Sequence, residues 1–159
     1  MYELNEILHG IRRPSSIIRQ LNRVLIRDSS AGIDVFAQDW DNLIILDACR
    51  YDYFEDLYDI DGELHKQVST GSATREWVES NFDQQLYDTV YVSANGWFLQ
   101  LGFDENLHTY VSLHGNEYRN DVGTVPPDLV TDAALDAAEK YPNKRLVAHY
   151  VQPHAPYMG

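Results

Sequence analysis

The sequence predicts an α/β fold with a mostly parallel sheet, and three observations carry that expectation. Short apolar runs at 43–46, 89–93 and 145–151 are too brief for helices and suit strands buried on both faces. Stretches of helical period lie between them. Each run ends in a polar, turn-forming cluster, which is where open α/β sheets place their ligands. A chain of 159 residues with 44% hydrophobic content is long and apolar enough to bury a core.

Taken in order, residues 2–9 and 15–27 read as helices separated by Pro14, with Ser15 or Ser16 as a cap for the second. In that second stretch Ile17, Ile18, Leu21, Val24 and Leu25 recur at helical spacing, with arginines on the other faces. It either packs on the flank of the domain or offers 12–27 as a basic amphipathic contact for a membrane surface or a partner. A loop follows at 28–32. Asp41-Asn42 precedes the strand at 43–46, and a helix is expected over 50–57. An extended piece ends at Val68, and Ser69-Thr70-Gly71-Ser72 reads as a turn. Residues 74–82 read as a helix with Ser72 or Thr74 near its cap. The strand at 89–93 closes on Ala94-Asn95-Gly96. Residues 100–123, broken by Gly102, Gly115 and Gly123, are expected to be irregular. Pro126-Pro127 introduces a helix over 128–140, with Leu129, Val130, Ala133, Ala134 and Ala137 on one side. The strand at 145–151 then runs into Gln152-Pro153-His154-Ala155-Pro156-Tyr157. The expected organisation is an N-terminal helical extension over 1–32 and one α/β domain over 33–159.

The chain carries 25 acidic and 12 basic side chains, a formal charge of -13. Arg12, Arg13, Arg19, Arg23 and Arg27 face only Glu3 and Glu6 within residues 1–27, so the acidity is concentrated in the rest. A body this acidic repels nucleic acid and anionic surfaces. With lysine only at 66, 140 and 144, it fits a halophilic protein whose self-repulsion is screened by concentrated salt. Cys49 is the single cysteine, so no internal disulfide is expected. No apolar run approaches the ~20 residues of a membrane span, and no signal-peptide core is visible, so a cytoplasmic location is expected.

Three clusters bear chemistry. Asp47, straight after the first apolar run, is either a cation ligand or the cap of the next helix. Thr70, Ser72 and Thr74 lie at the start of a helix, where hydroxyls either cap it or act as nucleophiles toward an incoming anion. Arg75 either clamps a phosphate or sulfate group or is simply solvated. His154, between two prolines, is placed to bind an anionic oxygen, move a proton or ligate a metal, and is otherwise a surface histidine. His149, inside its strand, reads as buried support.

In this order the clusters resemble the sulfatase-like branch of the alkaline phosphatase superfamily. Leu43-Ile-Ile-Leu-Asp47-Ala-Cys-Arg50 is similar to its first metal-binding motif. Gly71-Ser-Ala-Thr-Arg75-Glu-Trp77 occupies the place of its nucleophile-bearing helix start, and Val147-Ala-His-Tyr-Val-Gln-Pro-His154-Ala-Pro-Tyr157 resembles its strand and His-x-Pro-aromatic loop. The stretches 89–95 and 123–127 resemble a subgroup common in halophilic archaea. The resemblance implies a three-layer α/β/α architecture of the alkaline-phosphatase kind. It also implies a divalent ion (Zn, Mn, Mg or Ca) on Asp47, and a hydroxyl that attacks phosphorus or sulfur while touching that ion. His154 would hold an oxygen of the transferred group. Ser72 is the first choice of nucleophile, before Thr74 and Thr70, with Ser72 sharing the ion with Asp47 and Arg75 assisting. The expected activity is hydrolysis or transfer of an anionic phosphate or sulfate ester.

Two departures qualify that expectation. Formylglycine chemistry needs a Cys or Ser two residues before a proline, and Cys49 lies in a different motif. The family's later Asp-His pair and further His have no counterpart here, so the chain corresponds to the N-terminal portion of such proteins. The alternative is therefore a non-catalytic remnant that binds an anion or a partner. A sheet cut at this point is also expected to expose Val147, Ala148, Tyr150 and Val151 on an open strand and to self-associate.

Overall fold

The computed structural model describes residues 32–157. The helices expected at 2–9 and 15–27, and any contact through 12–27, lie outside the described residues. Four strands form one sheet: β1 (Asn42–Asp47), β2 (Leu86–Ser93), β3 (Leu107–Ser112) and β4 (Arg145–Pro153). Their spatial order is β1-β4-β2-β3, and every neighbouring pair is parallel. Helices α1 (Tyr51–Leu57), α2 (Thr74–Phe82), α3 (Trp97–Leu101) and α4 (Pro127–Lys140) occupy the connections, with 3-10 turns at Phe103–Asn106 and Asn116–Tyr118. The fold is mixed α/β with an all-parallel sheet, as the alternation of runs predicts.

The two-residue period of the strands sorts the core into two clusters. On one face Leu43 and Ile45 of β1, Tyr91 of β2 and Val147 of β4 meet Val78 and Phe82 of α2 and Phe98 of α3. Aromatic rings dominate this side: Phe82 lies 4.9 Å from Phe36 and Phe98 and 4.7 Å from Tyr91, centroid to centroid. On the other face Val90, Val92 and Leu146 meet Val130 and Ala137 of α4. Pro127 at the first turn of α4 needs no N–H there, which explains why the helix starts at the proline pair.

Arg145 ties the segment before β1 to β4. Its guanidinium donates to the carbonyls of Phe36, Gln38 and Trp40 at 3.2, 2.9 and 3.3 Å and lies 3.7 Å from the Trp40 ring centroid. A planar fork with several donors suits three carbonyls and a ring face together.

The structure corrects two expectations. Residues 100–123 are not irregular throughout: β3 is an edge strand, and His108, Thr109 and Ser112 obscure its apolar pattern. Val147 and Ala148 do not line an open edge. β4 sits between β1 and β2, both residues are buried, and Tyr150 and Val151 pack against the second cluster. Among the described residues β1 and β3 are the outer strands, and Ile44 and Leu46 of β1 are 66% and 37% exposed.

Candidate functional site

β1 ends on Asp47, and the pairing with β4 slips there: Leu46 opposes Tyr150 but Asp47 opposes Pro153. The next residue, Ala48, has φ 62, a left-handed conformation that non-glycine residues seldom adopt. The Cys49 N–H returns to the Leu46 carbonyl at 3.2 Å. The strand therefore stops in a tight turn that leaves the Asp47 carboxylate at the C-terminal end of the sheet, on the side of Leu43 and Ile45. Strained backbone beside a polar side chain is a recurring mark of functional sites.

Two groups converge on that carboxylate. Thr74, the first residue of α2, places Oγ1 3.0 Å from both Oδ1 and Oδ2. Asn95, just beyond β2, donates from Nδ2 to Oδ2 at 3.2 Å. The orientation of the Asn95 amide is fixed, because its Oδ1 accepts the Trp97 N–H at 2.9 Å. The Asn95 backbone is held as well: its N–H donates to Ser93 Oγ at 3.0 Å and its carbonyl accepts the Tyr110 hydroxyl at 3.4 Å.

Beneath this group lies a buried pair. His149, 1% exposed, shares a 2.6 Å hydrogen bond between Nδ1 and the Tyr91 hydroxyl. The Trp77 ring meets the imidazole edge to face, with centroids 5.8 Å apart. Burial lowers the His149 pKa to about 4, while the negative charge of Asp47 acts in the opposite sense. Burial likewise pushes the Tyr91 phenol up. Both groups are therefore neutral near pH 7.

The other hydroxyls are engaged elsewhere. Ser72 Oγ donates to Glu76 Oε2 at 2.7 Å, and the Ser72 N–H reaches the same oxygen at 3.1 Å. This resembles the reciprocal closure of a capping box, with Glu76 reaching back over the first turn. Thr70 Oγ1 accepts from buried Asn81 at 2.8 Å. Gly71 lets this turn fold onto the helix, since a Cβ there would collide with the backbone of Glu76 and Trp77. Arg75 runs along the helix, pairing with Glu79 at 2.9 Å, its guanidinium carbon 5.7 Å from the Trp97 ring centroid, and does not line the cleft.

A cleft of about 330 Å³ opens over Asp47, Thr74 and Asn95. Its lining also includes His114, Arg119 and His154. The structure thus brings Asp47, Thr74 and His154 of the expected set to one cleft and leaves Ser72, Thr70 and Arg75 outside it. His154 Nδ1 lies 2.7 Å from the Ala155 carbonyl, which leaves Nε2 as its other polar atom. Arg119 donates to the Gly123 carbonyl at 3.4 Å, and His114 leans over Gly96, where a Cβ would meet its ring at 2.6 Å. Asn95, Arg119 and His114 were not in the expected set. The position of Asn95 after a buried parallel strand was a usable signal, whereas the other two lie in the stretch read as irregular.

The donor set around Asp47 tests a divalent ion. It consists of one carboxylate, one hydroxyl and an amide whose oxygen already accepts a hydrogen bond. Among the described residues no group of three or more His, Cys, Asp or Glu is placed to hold a metal ion. Catalytic zinc takes about three protein ligands, and calcium takes more oxygen donors than this. The described residues therefore do not by themselves fit a tight divalent site. Among them, no helix is long and apolar enough to cross a membrane. Comparison with protein-family models, curated proteins and solved structures gives no match.

Proposed function

We propose that this cleft is the nucleophile-bearing part of a site that cleaves or transfers phosphate or sulfate esters, in the manner of sulfatase-like proteins of the alkaline phosphatase superfamily. The observation that carries the reading is the 3.0 Å approach of Thr74 Oγ1 to both oxygens of Asp47 at the mouth of the cleft. Helices packed against both apolar clusters of a parallel sheet support the three-layer, alkaline-phosphatase-like architecture that goes with it. The nucleophile is reassigned from Ser72 to Thr74, because Ser72 Oγ is tied to Glu76 and Ser72 does not line the cleft.

In this reading an anionic ester enters with its oxygens toward Arg119, His114 and His154, the cationic and donor groups of the cleft. Thr74 Oγ1 attacks phosphorus or sulfur as its proton passes to the Asp47 carboxylate. The bond to the leaving oxygen breaks, and that oxygen takes a proton from water or a protonated His154. Asn95 holds Asp47 in place through Nδ2. The group now esterified on Thr74 passes to water or a second hydroxyl. A divalent ion would add Lewis acidity, but the described ligands are too few to hold one alone, so no step here depends on it.

Turnover of p-nitrophenyl phosphate, bis-p-nitrophenyl phosphate and p-nitrophenyl sulfate tests the proposal, each with and without added Mn²⁺. Thr74→Ala should lower the rate by roughly 10³-fold or more, whereas Ser72→Ala should stay within about threefold. The reverse order would return the nucleophile to Ser72. No turnover of any ester, together with phosphate-induced NMR shifts at Arg119 and His154, would favour the second reading, a non-catalytic anion-binding module. That reading draws on the basic groups gathered in one cleft of an otherwise acidic chain.

A further inference from the structure

Phe98 anchors α3 in the core: it is fully buried, with its ring centroid 4.9 Å from that of Phe82 and 4.7 Å from those of Tyr91 and Tyr110. Trp97, the residue before it, is 41% exposed. Among the described residues it is the one exposed large hydrophobic side chain that lines the cleft. Gln100 follows three residues later on the same side of α3, and it too is exposed and lines the cleft. Its amide offers two donors and an acceptor.

Both residues are fixed relative to the reacting pair. Asn95 accepts the Trp97 N–H through Oδ1 at 2.9 Å and donates to Asp47 through Nδ2 at 3.2 Å. One planar amide therefore sets the start of α3 no more than about 9 Å from the Asp47 carboxylate. The indole is also braced from outside the cleft: the Arg75 guanidinium carbon lies 5.7 Å from its centroid, and Arg75 is paired with Glu79. An indole face carries the negative side of the ring quadrupole, so it offers nothing to an anionic oxygen. That task falls to Arg119, His114 and His154 on the same cleft. Trp97 suits the uncharged part of a ligand. A flat ring covers an indole with more apolar area, and loses less rotational freedom, than an open chain.

We propose that Trp97 and Gln100 are specificity-determining residues that receive the alcohol part of the ester and select a ring with polar groups at its rim over an open chain. This inference rests on the ester-binding reading of the cleft. The test titrates the full chain with propyl phosphate, phenyl phosphate and glucose 6-phosphate, and follows the Arg119 amide and Trp97 indole signals by NMR. All three esters should move the Arg119 signal, and the two ring esters should also move the Trp97 indole. Phenyl phosphate should bind about fivefold, and glucose 6-phosphate about tenfold, more tightly than propyl phosphate. Trp97→Ala should bring the three affinities to within about twofold of one another, whereas Trp97→Phe, which keeps a ring, should retain most of the preference. Gln100→Leu should weaken glucose 6-phosphate about threefold more than phenyl phosphate. The comparison of esters on the unsubstituted chain does not depend on how the variants fold. Equal affinities there, or a ring preference that survives Trp97→Ala, would overturn the proposal and leave the anion site standing. Phenyl phosphate binding more tightly than glucose 6-phosphate would overturn it in favour of a purely aromatic alcohol. A ring preference without turnover of any p-nitrophenyl ester would support the subsite and remove the ester-cleaving reading instead. Binding of none of the three would remove both.

Discussion

The hydroxyl of Thr74 and the carboxylate of Asp47 meet across 27 residues of sequence, with Oγ1 3.0 Å from either oxygen. An acceptor-only carboxylate is matched here by two donors, Thr74 and Asn95. Asp47→Asn removes the charge and one acceptor oxygen, and brings in an amide N–H that Thr74 Oγ1 can accept but Asn95 Nδ2 cannot. Ester turnover should fall about 10²-fold, while urea unfolding should show a loss of about 1 kcal/mol from the weakened hydrogen bonds. Unchanged turnover would sever Asp47 from the chemistry.

Asn95→Asp probes the same group from the other side. It would place a second carboxylate where an amide now donates at 3.2 Å, and the first oxygen would still be wanted by the Trp97 N–H. The variant should be destabilised by about 1–3 kcal/mol. Asn95→Ala, which removes the donor without adding charge, should lose less. Equal losses in the two variants would rule out repulsion from Asp47.

His149 links stability to pH. Its pKa in the fold is about 4, lowered by burial, against ~6.5 for an unfolded histidine. Between those values the unfolded chain binds the extra proton, so stability is full above pH ~6.5 and declines as the pH falls toward 4, by an amount on the order of 3 kcal/mol. Denaturant melts at steps across that range measure the slope. His149→Gln, which keeps an acceptor for Tyr91, should flatten it. An equally steep slope in the variant would place the titrating group elsewhere.

Arg145→Lys tests the fork that joins β4 to the segment before β1. An ammonium does not reach the carbonyls of Phe36, Gln38 and Trp40 in one plane and lacks the stacked face over Trp40. A loss of about 1–3 kcal/mol is expected despite the conserved charge. A melting midpoint unchanged from the parent would mean that charge alone suffices.

The acidic surface predicts a salt response. With 25 acidic residues against 12 basic ones, self-repulsion in dilute buffer should weaken the fold, and KCl up to molar concentration should raise the melting midpoint by several degrees. A flat response would remove the halophilic reading of the composition.

The central strands and α2 and α4 were legible because they are buried on an obvious period. Val90, Val92 and Val147 read as buried strand, and Val130, Ala134 and Ala137 as one helix face. β3 was not, because an edge strand keeps polar residues such as His108 and Thr109. Asp47 and His154 were visible as polar residues after apolar runs. The choice among Ser72, Thr74 and Thr70 was not, since a hydroxyl at a helix start carries no sign of which neighbour it faces. That is decided by Glu76 and Asn81, which hold Ser72 and Thr70 away from the carboxylate. The place of β4 was missed for a similar reason: sequence order does not reveal insertion between two earlier strands.

That insertion orders events in time. β1 and β2 have no mutual pairing and become one sheet only when β4 enters between them. Contacts such as Ile45 with His149 close a long stretch of chain, and long-range closure of parallel strands is slow. On the ribosome, the nascent chain would therefore carry two separate strand edges until Arg145–Pro153 has emerged. Until then it is open to wrong pairings, and the cleft is among the last features to assemble.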